Sequence, residues 1–552
     1  MFFAKNENDI GNYRLVFCRV LGYTFSRIQT EKKGKKKAMK LNYKRTILVG
    51  FAFFLISAFW QAYDATIPVI LTNKFGMSQT WSGVVMALDN ILAVFMLPIF
   101  GALSDKCRSR HGRRTPFITI GTIIAAVMIM CLAFADNAQF KNIENVAQID
   151  SPAALEIVYD AKNNTELMTP DGTKFILEDK LTKEEFAAIK STDKYAEGEE
   201  NLYTNYVVPA RQSYISDVTA KNPANLLIFI AFLLAVLISM ALFRSPAVAL
   251  MPDVTIKPLR SKANAVINLM GTAGGIIVLV LGIVFATSAV KNSFMNYFTF
   301  YGVVAGLMIA ALAIFLLTVR EVKWVSEQRE ESLRLGIEEK AEEAGEKRGL
   351  SRKEKISRIF ILASIALWYI GYNAITSKYS IYAQRVLEMD YNSTLLLAQA
   401  AAIISYLPAG MVASKIGRKK TIMAGVVMLT GAFLGASFMR AGSPTLIMNV
   451  FFVLAGVAWA TINVNSFPMV VEMCSGSDVG KYTGFYYTAS MAAQIVTPML
   501  SGLLMDNFGM TTLFPYATVF VALAFVTMSF VRHGDSRPAP KKDALEALDI
   551  ED

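Results

Sequence analysis

A long series of apolar segments, separated by polar loops, most restricts what this chain can fold into. Twelve such segments cover residues 46–70, 80–104, 116–135, 224–246, 262–290, 297–319, 357–377, 393–413, 421–440, 446–470, 483–505 and 512–531. At a rise of about 1.5 Å per residue, each is long enough to cross the hydrocarbon core of a bilayer. The sequence therefore predicts an all-α membrane protein with twelve transmembrane helices.

Composition agrees with this fold class and excludes others. The 552 residues are 54% hydrophobic and only 18% charged, unlike ordinary globular proteins. A net charge of +11 is typical of nucleic-acid binders, but the basic residues lie in short loops, where membrane topology accounts for them. Four scattered cysteines and two histidines, His111 and His533, predict no metal site, and the sequence shows no nucleotide-binding glycine loop. We therefore expect no enzyme activity, no cofactor and no nucleic-acid partner.

The loop GALSDKCRSRHGRRTPF, residues 101–117, is the most distinctive stretch. Its basic residues are Lys106, Arg108, Arg110, Arg113 and Arg114. A basic loop beside a membrane span is expected on the cytoplasmic face. Gly101 permits close approach of two helices, and Gly112 suits a tight turn. Asp105 is placed to pair with a guanidinium or to cap a neighbouring helix.

A weaker copy of this loop, GMVASKIGRKK, occupies residues 410–420. Its glycines and basic residues follow the same order, but Ser414 stands where the first copy has Asp105. The chain therefore reads as two tandem halves of six spans each, in the same orientation. The predicted division is a basic N-terminal segment 1–45, a first half 46–319, a linker 320–356, a second half 357–531 and a tail 532–552, with both termini cytoplasmic. Met39 is an alternative translation start.

The loop 101–117 resembles the loop between helices 2 and 3 of major facilitator transporters. Most members have one residue between the basic position and the second glycine, whereas here Cys107–His111 intervene. This longer form, ending in Thr115-Pro116-Phe117, is similar to that of the plant sucrose transporters and their animal and bacterial relatives. It resembles the glycoside–pentoside–hexuronide cation symporters more loosely. The resemblance implies the major facilitator fold and alternating-access transport of a small solute.

A second block carries the same resemblance. Asp253 and the pair Ala263-Asn264 match the sucrose-transporter pattern around the fourth and fifth spans. The substrate-contacting arginine of that group would fall on Val248, but this chain has Arg244 instead, on the same helix face one turn earlier. Arg244 either serves the same cavity or extends toward the membrane surface. The shift leaves sucrose itself uncertain as the substrate.

Polar residues within the predicted spans provide the candidate site. Carboxylates at bilayer depth are costly and usually functional or paired. We therefore expect Asp64 and Asp89, with Arg244, to couple transport to a proton or a sodium ion. Amides and flat aromatic side chains suit sugars; the candidate substrate-binding residues are Asn90, Trp368, Tyr372, Asn373, Gln399, Trp459, Asn463, Asn465 and Gln494. Asn and Gln can also bond helix to helix, so only part of this set is expected to face the cavity.

A separate set at the inner side is expected to form a gate. Charge pairs among Asp105, Arg114, Asp253 and Glu472 would hold the inner side shut and break on opening. The motif residues Gly101, Lys106, Arg110, Gly112 and Arg113 belong with them. The linker is expected to have a structural role only. The polar stretch 137–222 is predicted to be an extracellular insert, partly folded or flexible.

The predicted function is secondary active transport in the cell membrane by a monomer, as cation-coupled symport of a sugar or glycoside with a proton as the expected ion. An exporter of drugs or organic cations on the same fold is the alternative, favoured if Asp64 and Asp89 bind a cationic substrate directly. A non-transporting membrane sensor or scaffold, built on the insert and the linker, is a weaker one.

Overall fold

Twelve long helices make up most of the described chain. The computed structural model describes residues 41–193, 200–256, 259–335, 351–471 and 479–533. Numbered in chain order, the long helices are α1 Tyr43–Asn73, α2 Gln79–Lys106, α3 Thr115–Asn142, α4 Ala224–Val254, α5 Arg260–Val284, α6 Phe298–Thr318, α7 Arg352–Tyr382, α8 Tyr391–Ile416, α9 Arg418–Ala436, α10 Thr445–Val471, α11 Val479–Phe508 and α12 Leu513–Ser529. Eleven of them are apolar enough to cross a membrane, and α8, with 26 residues, completes the set. The predicted all-α fold of twelve spans is confirmed.

Some predicted regions lie outside the described residues. They are Glu472, most of the N-terminal segment, residues 336–350 of the linker and nearly all of the tail.

Short polar side chains start several of these helices where the sequence offers them. Asn42 and Ser78 accept hydrogen bonds from backbone N–H groups in the first turns of α1 and α2. Ser351 and Glu354 form a capping box at the start of α7. Each cap satisfies donors that the helix itself leaves unpaired.

Each half has its own hydrophobic core. In the first half, α1 packs on α5 and α3 packs on α4, around buried residues such as Leu55, Phe243 and Tyr301. In the second half, α8 packs on α10 and α7 on α12, around Trp368 and Phe514. The halves meet mainly through α2 with α11, α5 with α8, and α1 with α7.

The bundle has two ends that differ in what they carry. We call the end with the loops 107–114 and Gly417 the motif end, and the opposite end, where α3 leads into residues 143–222, the insert end. The linker begins at the motif end with a helix, Glu321–Arg334, that packs on α4.

The insert forms a small folded unit. Helix α3 continues to Asn142, beyond the predicted end of its span. The described part of the insert contains the helices Pro152–Lys162, Lys183–Ala188 and Val208–Lys221 and a two-stranded antiparallel hairpin, β1 Glu166–Met168 and β2 Lys174–Ile176. Its apolar side chains form a third buried cluster. The described part of the insert, which was expected to be partly folded or flexible, is folded, because enough apolar surface is buried there to stabilise a core.

Candidate functional site

Polar side chains from both halves meet at one depth of the bundle. Asp64, Asp89, Tyr372 and Gln399 each lie eight to ten residues inside the insert-end terminus of their helix, which corresponds to about 12–15 Å. That is close to the middle of a bilayer core about 30 Å thick. None of the four therefore lies at a membrane surface.

The first half contributes an interacting charged group. Asp64 on α1 and Asp89 on α2 interact electrostatically, and Asn90 donates a hydrogen bond of 2.7 Å from Nδ2 to Asp89 Oδ1. The side chain of Arg244 on α4 interacts with the charge of Asp89. Its guanidinium carbon lies 5.8 Å from the centre of the Trp60 ring on α1, so Arg244 is directed toward neighbouring helices of its own half. Val248, at the position of the family arginine, is instead 47% exposed.

The second half contributes an amide and an aromatic wall. Gln399 Nε2 on α8 donates a hydrogen bond of 2.6 Å to Gln61 Oε1 on α1, which joins the two halves one helical turn from Asp64. The Tyr372 ring stacks on the Trp459 indole, with ring centres 3.6 Å apart and planes within 5°. Tyr372 also lies within electrostatic range of Asp64. The aromatic pair therefore faces the carboxylate group of the first half.

Other predicted substrate residues have different surroundings. Trp368 is 1% exposed within the core of the second half. Asn465 is 2% exposed and donates to the Thr461 carbonyl of its own helix. Polar and aromatic side chains in a span often take part in helix packing, and the assignment of these two residues to the substrate site stays a prediction.

Three further predicted residues are partly exposed. Asn373 donates to the Tyr369 carbonyl of its own helix, whereas Asn463 and Gln494 lie on α10 and α11. Their assignment to the substrate site stays a prediction.

Sequence reasoning missed two donors at this site. The indole Nε1 of Trp60 and the hydroxyl of Tyr63 are buried without a hydrogen-bond partner among the described residues. Tyr63 interacts electrostatically with both Asp64 and Asp89. Buried donors are normally satisfied, so these atoms are available to a ligand or to water. Their one signal in the sequence is an aromatic pair spaced one helical turn apart beside an acid.

The loop after α2 forms a compact charge network at the motif end. Arg114 NH2 lies 2.5 Å from Asp105 Oδ1, and Arg114 Nε lies 2.9 Å from Asp253 Oδ2. Arg113 reaches the other oxygen of Asp253 at 2.7 Å. The expected pairing of Asp105 with a guanidinium is therefore present, and Asp253 joins α4 to the same pair. All of these residues belong to the first half.

The linker supplies a third carboxylate, which sequence reasoning did not assign to the site. Glu321 is 2% exposed and accepts hydrogen bonds from the backbone N–H groups of Arg113, Arg114 and Thr115. A carboxylate at the start of α3 is favoured by the unpaired N–H groups and the helix dipole. The first residue of the linker helix therefore fixes the start of a membrane helix, which is a structural role.

Both motif glycines are required by their surroundings. Gly112 has a φ of +110°, and a Cβ there would overlap the Glu321 carboxylate. A Cβ on Gly101 would lie 2.8 Å from Ser245 Oγ on α4. Lys106 and Arg110 are exposed, so their positive charge faces the surroundings of the motif end.

Comparison with known proteins decides the family. The sequence model described as Major Facilitator Superfamily matches residues 214–405 and 395–549, more than half of the chain. The chain belongs to the Major Facilitator Superfamily. A second model, described as MFS/sugar transport protein, matches residues 48–143. This major facilitator protein is thus a multi-pass membrane protein.

Individual relatives match over short stretches. The transporter is 31% identical to sucrose transport protein SUC4 of Arabidopsis thaliana over 77 residues, 14% of this chain and 15% of that protein. It is 25% identical to the MFS-type transporter ppzB of Metarhizium rileyi over 142 residues, 26% of this chain and 29% of that protein. The matched stretches span less than a third of either relative.

Solved structures match over nearly the whole fold. The inward open conformation of the xylose transporter XylE from E. coli covers 88% of this chain and 96% of its own, with a TM-score of 0.54 and 13% identity. A bacterial homologue of the iron transporter ferroportin covers 90% of this chain and all of its own, with a TM-score of 0.57 and 10% identity. At these identities the likeness shows the fold alone.

The two halves contact each other closely at the insert end. We call this region the seam. It comprises the insert-end parts of α1, α2, α5, α7, α8 and α11. Gly83 of α2 lies so near the Pro498 carbonyl of α11 that a Cβ would overlap it. Asp506 of α11 accepts hydrogen bonds from the backbone N–H groups of Gln79 and Thr80, at 2.8 and 2.7 Å. The start of α2 is therefore held directly by the second half.

Charged side chains cross the seam elsewhere too. Lys378 of α7 is fully buried and donates to the Gln79 carbonyl at 2.6 Å. Asp390, before α8, accepts from Ser288 Oγ at 2.6 Å. Next to the seam, but within the first half, Lys74 and Asp136 form a fully buried ion pair at 2.6 Å.

Proposed function

We propose that this transporter couples the uptake of a sugar or glycoside to a cation, with a proton as the expected ion. One observation carries the proposal: a carboxylate group of the first half and an aromatic and amide group of the second half meet at mid-depth, where the Gln61–Gln399 hydrogen bond joins the halves. Major facilitator transporters bind substrate near the midplane between their two halves.

The second-half side fits the chemistry of a sugar. The stacked Tyr372–Trp459 pair offers a flat apolar surface for the C–H face of a ring. The amides of Gln61, Gln399 and Asn90 provide both donors and acceptors for hydroxyls. Similarity to a sucrose transport protein, although over only 77 residues, supports the same substrate class.

The first-half side fits cation coupling. A carboxylate that interacts with a neighbouring arginine, as Asp89 does with Arg244, can release that arginine when it takes up a proton or sodium ion. Asp64, which interacts with Asp89, is the second candidate. Binding of the cation would thus change the charge of the carboxylate group beside the substrate and Arg244.

Charge distribution supports an orientation in the cell membrane. Basic residues cluster in the motif-end loops 105–114 and 415–420, and such loops stay in the cytoplasm. Both chain termini would then be cytoplasmic and the insert extracellular. In this proposal Asp105 and Arg114 support the first-half side of a cytoplasmic gate in a monomeric transporter, and their ion pair stays within that half.

Uptake by purified protein in liposomes tests the proposal. Labelled α- and β-glucosides, sucrose among them, are offered under an imposed proton gradient or an imposed sodium gradient. We expect uptake above the diffusion background with one gradient, and its loss in Asp89→Asn. Asp179→Asn is the matched control, because Asp179 is an exposed carboxylate on the insert.

Two outcomes would contradict the proposal. Gradient-driven movement of organic cations, with no uptake of any sugar, would favour an exporter in which Asp64 and Asp89 bind the substrate directly. Sugar uptake that is equal with and without either gradient would remove cation coupling.

A further inference from the structure

Two buried arginines share a cavity at the seam. Arg211 of the insert is 3% exposed, and Arg385, after α7, is 7% exposed. The cavity also reaches the end of α1 and the loop before α6, and its empty volume is about 450 Å³, including the part open to solvent. It therefore lies where the insert and both halves meet.

Among the residues that the structure describes, these two arginines form hydrogen bonds only with neutral groups. Arg385 donates to Asn73 Oδ1 at 2.7 Å and to Gln212 Oε1. Arg211 donates to the Ile149 carbonyl at 2.9 Å and to the Tyr203 hydroxyl at 3.2 Å. Every ion pair described elsewhere in the chain involves other residues, so neither guanidinium has a described carboxylate partner.

Donor groups at the cavity also lack acceptors. The Nε atoms of Arg211 and Arg385 and the Nε2 atom of Gln384 are buried without a hydrogen-bond partner in the described part of the chain. Two carboxylates of this region accept hydrogen bonds from other groups: Glu388 from Thr204 and Asn201, and Asp150 from Ser191. Two buried positive charges without a counter-charge are strongly unfavourable.

We propose that this cavity binds a small inorganic anion between Arg211 and Arg385. The donor set suits such a ligand, because guanidinium groups bind oxyanions and other anions through charge-assisted hydrogen bonds. The Tyr203 hydroxyl, which accepts from Arg211 and also lines the cavity, can donate to the anion. Chloride, sulfate and phosphate share this chemistry.

The position of the cavity gives the anion a consequence for the transport cycle. Its lining comes from the insert (Arg211), the first half (Asn73) and the second half (Arg385). The site is complete only while the seam is closed. By linkage, an anion that binds this arrangement stabilises it relative to one with the seam open.

Thermal unfolding of the detergent-purified full chain tests the proposal without any transport substrate, so its result is independent of the proposed function. Chloride, sulfate and phosphate are each titrated at constant ionic strength against gluconate. We expect a saturable rise in Tm of at least about 2 °C with one or more of them. A response to sulfate and phosphate alone assigns an oxyanion, and a response to chloride alone assigns a halide.

Variants locate the effect. Arg211→Gln and Arg385→Gln are each expected to abolish the anion-dependent rise, and Arg385→Lys to retain part of it. Lys190→Gln is the control, since Lys190 is an exposed cation on the same insert, and its response should equal that of the unchanged protein. An unaltered rise in both glutamine variants, or no rise with any anion in the unchanged protein, overturns the proposal.

A direct measurement avoids variants that fail to fold. Crystals of the unchanged protein grown in bromide, or soaked in it, are examined by anomalous scattering, with selenate as the oxyanion probe. A peak between the two guanidinium groups supports the site. An empty cavity with both probes at concentrations that saturate the Tm response refutes it.

Discussion

The motif loop and the seam use charge in opposite ways. In the motif loop, Arg113 and Arg114 pair with Asp105 and Asp253, so opposite charges meet directly. In the seam, charged groups bond neutral ones across the halves. Lys378 donates to a carbonyl, Arg385 to an amide oxygen, and Asp506 accepts from backbone N–H groups.

This difference fits what each region has to do during alternating access. Contacts inside one half move with it as a rigid body, whereas contacts between halves have to break when the halves rock. A buried ion pair that is separated leaves two unpaired charges, which is far costlier than exchanging a neutral partner for water. The seam can therefore open at a moderate cost, and the motif loop can stay intact.

The largest effect is expected at Gly83, where the close approach of the two halves requires that no Cβ is present. Gly83→Val places a side chain against the Pro498 carbonyl of the other half. Overpacking costs about 1–3 kcal/mol, and each 1.4 kcal/mol lowers the equilibrium ratio of closed to open seam by roughly tenfold. We expect hydrogen exchange of the α2 start and the α11 end to rise, as followed by mass spectrometry, while the motif loop stays protected.

Gly306→Val is the matched control, because no atom lies within 4 Å of a Cβ at that position on α6. Its exchange pattern should equal that of the unchanged protein. Unchanged protection at the seam of Gly83→Val would show that the close approach does not hold the halves together.

A smaller effect is expected in the motif loop. Asp253→Asn removes the charge that both Arg113 and Arg114 contact, and Asp253 is only 14% exposed. Loss of a charge-assisted bond to a buried arginine costs roughly 2–3 kcal/mol. We therefore expect a clear fall in Tm of the purified protein, with seam protection unchanged.

Asp105→Asn separates stability from gating in the same network. Asp105 contacts the same arginine, but it is 58% exposed, and exposed pairs contribute less than about 1 kcal/mol. Its Tm should therefore stay close to that of the unchanged protein, whereas its transport should fall if Asp105 belongs to the gate. Equal Tm losses in the two variants would remove the distinction between buried and exposed pairs, and full transport by Asp105→Asn would argue against the gate.

The fold could be predicted from the sequence because each membrane span is determined by the residues of its own segment. A span needs about 20 apolar residues wherever it lies, and the repeat of the loop 101–117 at 410–420 sets the number of halves. The pairing of Asp105 with a nearby arginine was also predictable, since Arg114 follows it in the same loop. The assignment of Asp89 to the candidate site was possible for a similar local reason, because its position within the second apolar segment predicts its depth in the membrane.

Contacts between distant segments were not readable in this way. Lys378 and Gln79 are nearly 300 residues apart, and nothing in either segment indicates the other. Glu321 stands near the start of a linker of mixed charge, where many acids resemble it. Trp368 and Trp459 are both tryptophans in spans, yet packing buries one in the core of its half and stacks the other on Tyr372, which depends on helix rotation rather than on residue type.

The smallest effect concerns the pH dependence of one seam contact. Partial burial raises the pKa of Asp390, but the hydrogen bonds from Ser288, Ser393 and Asn392 outweigh it and lower the pKa overall. A carboxylate with a lowered pKa stabilises the folded protein fully above its unfolded pKa of about 4 and loses that effect as pH falls through the lower folded value. The contact with Ser288 should therefore be unaffected between pH 5 and 8. We expect the Tm difference between the unchanged protein and Asp390→Asn to be constant in that range and to shrink below about pH 4; a difference that disappears already at pH 6 would mean that another group controls the contact.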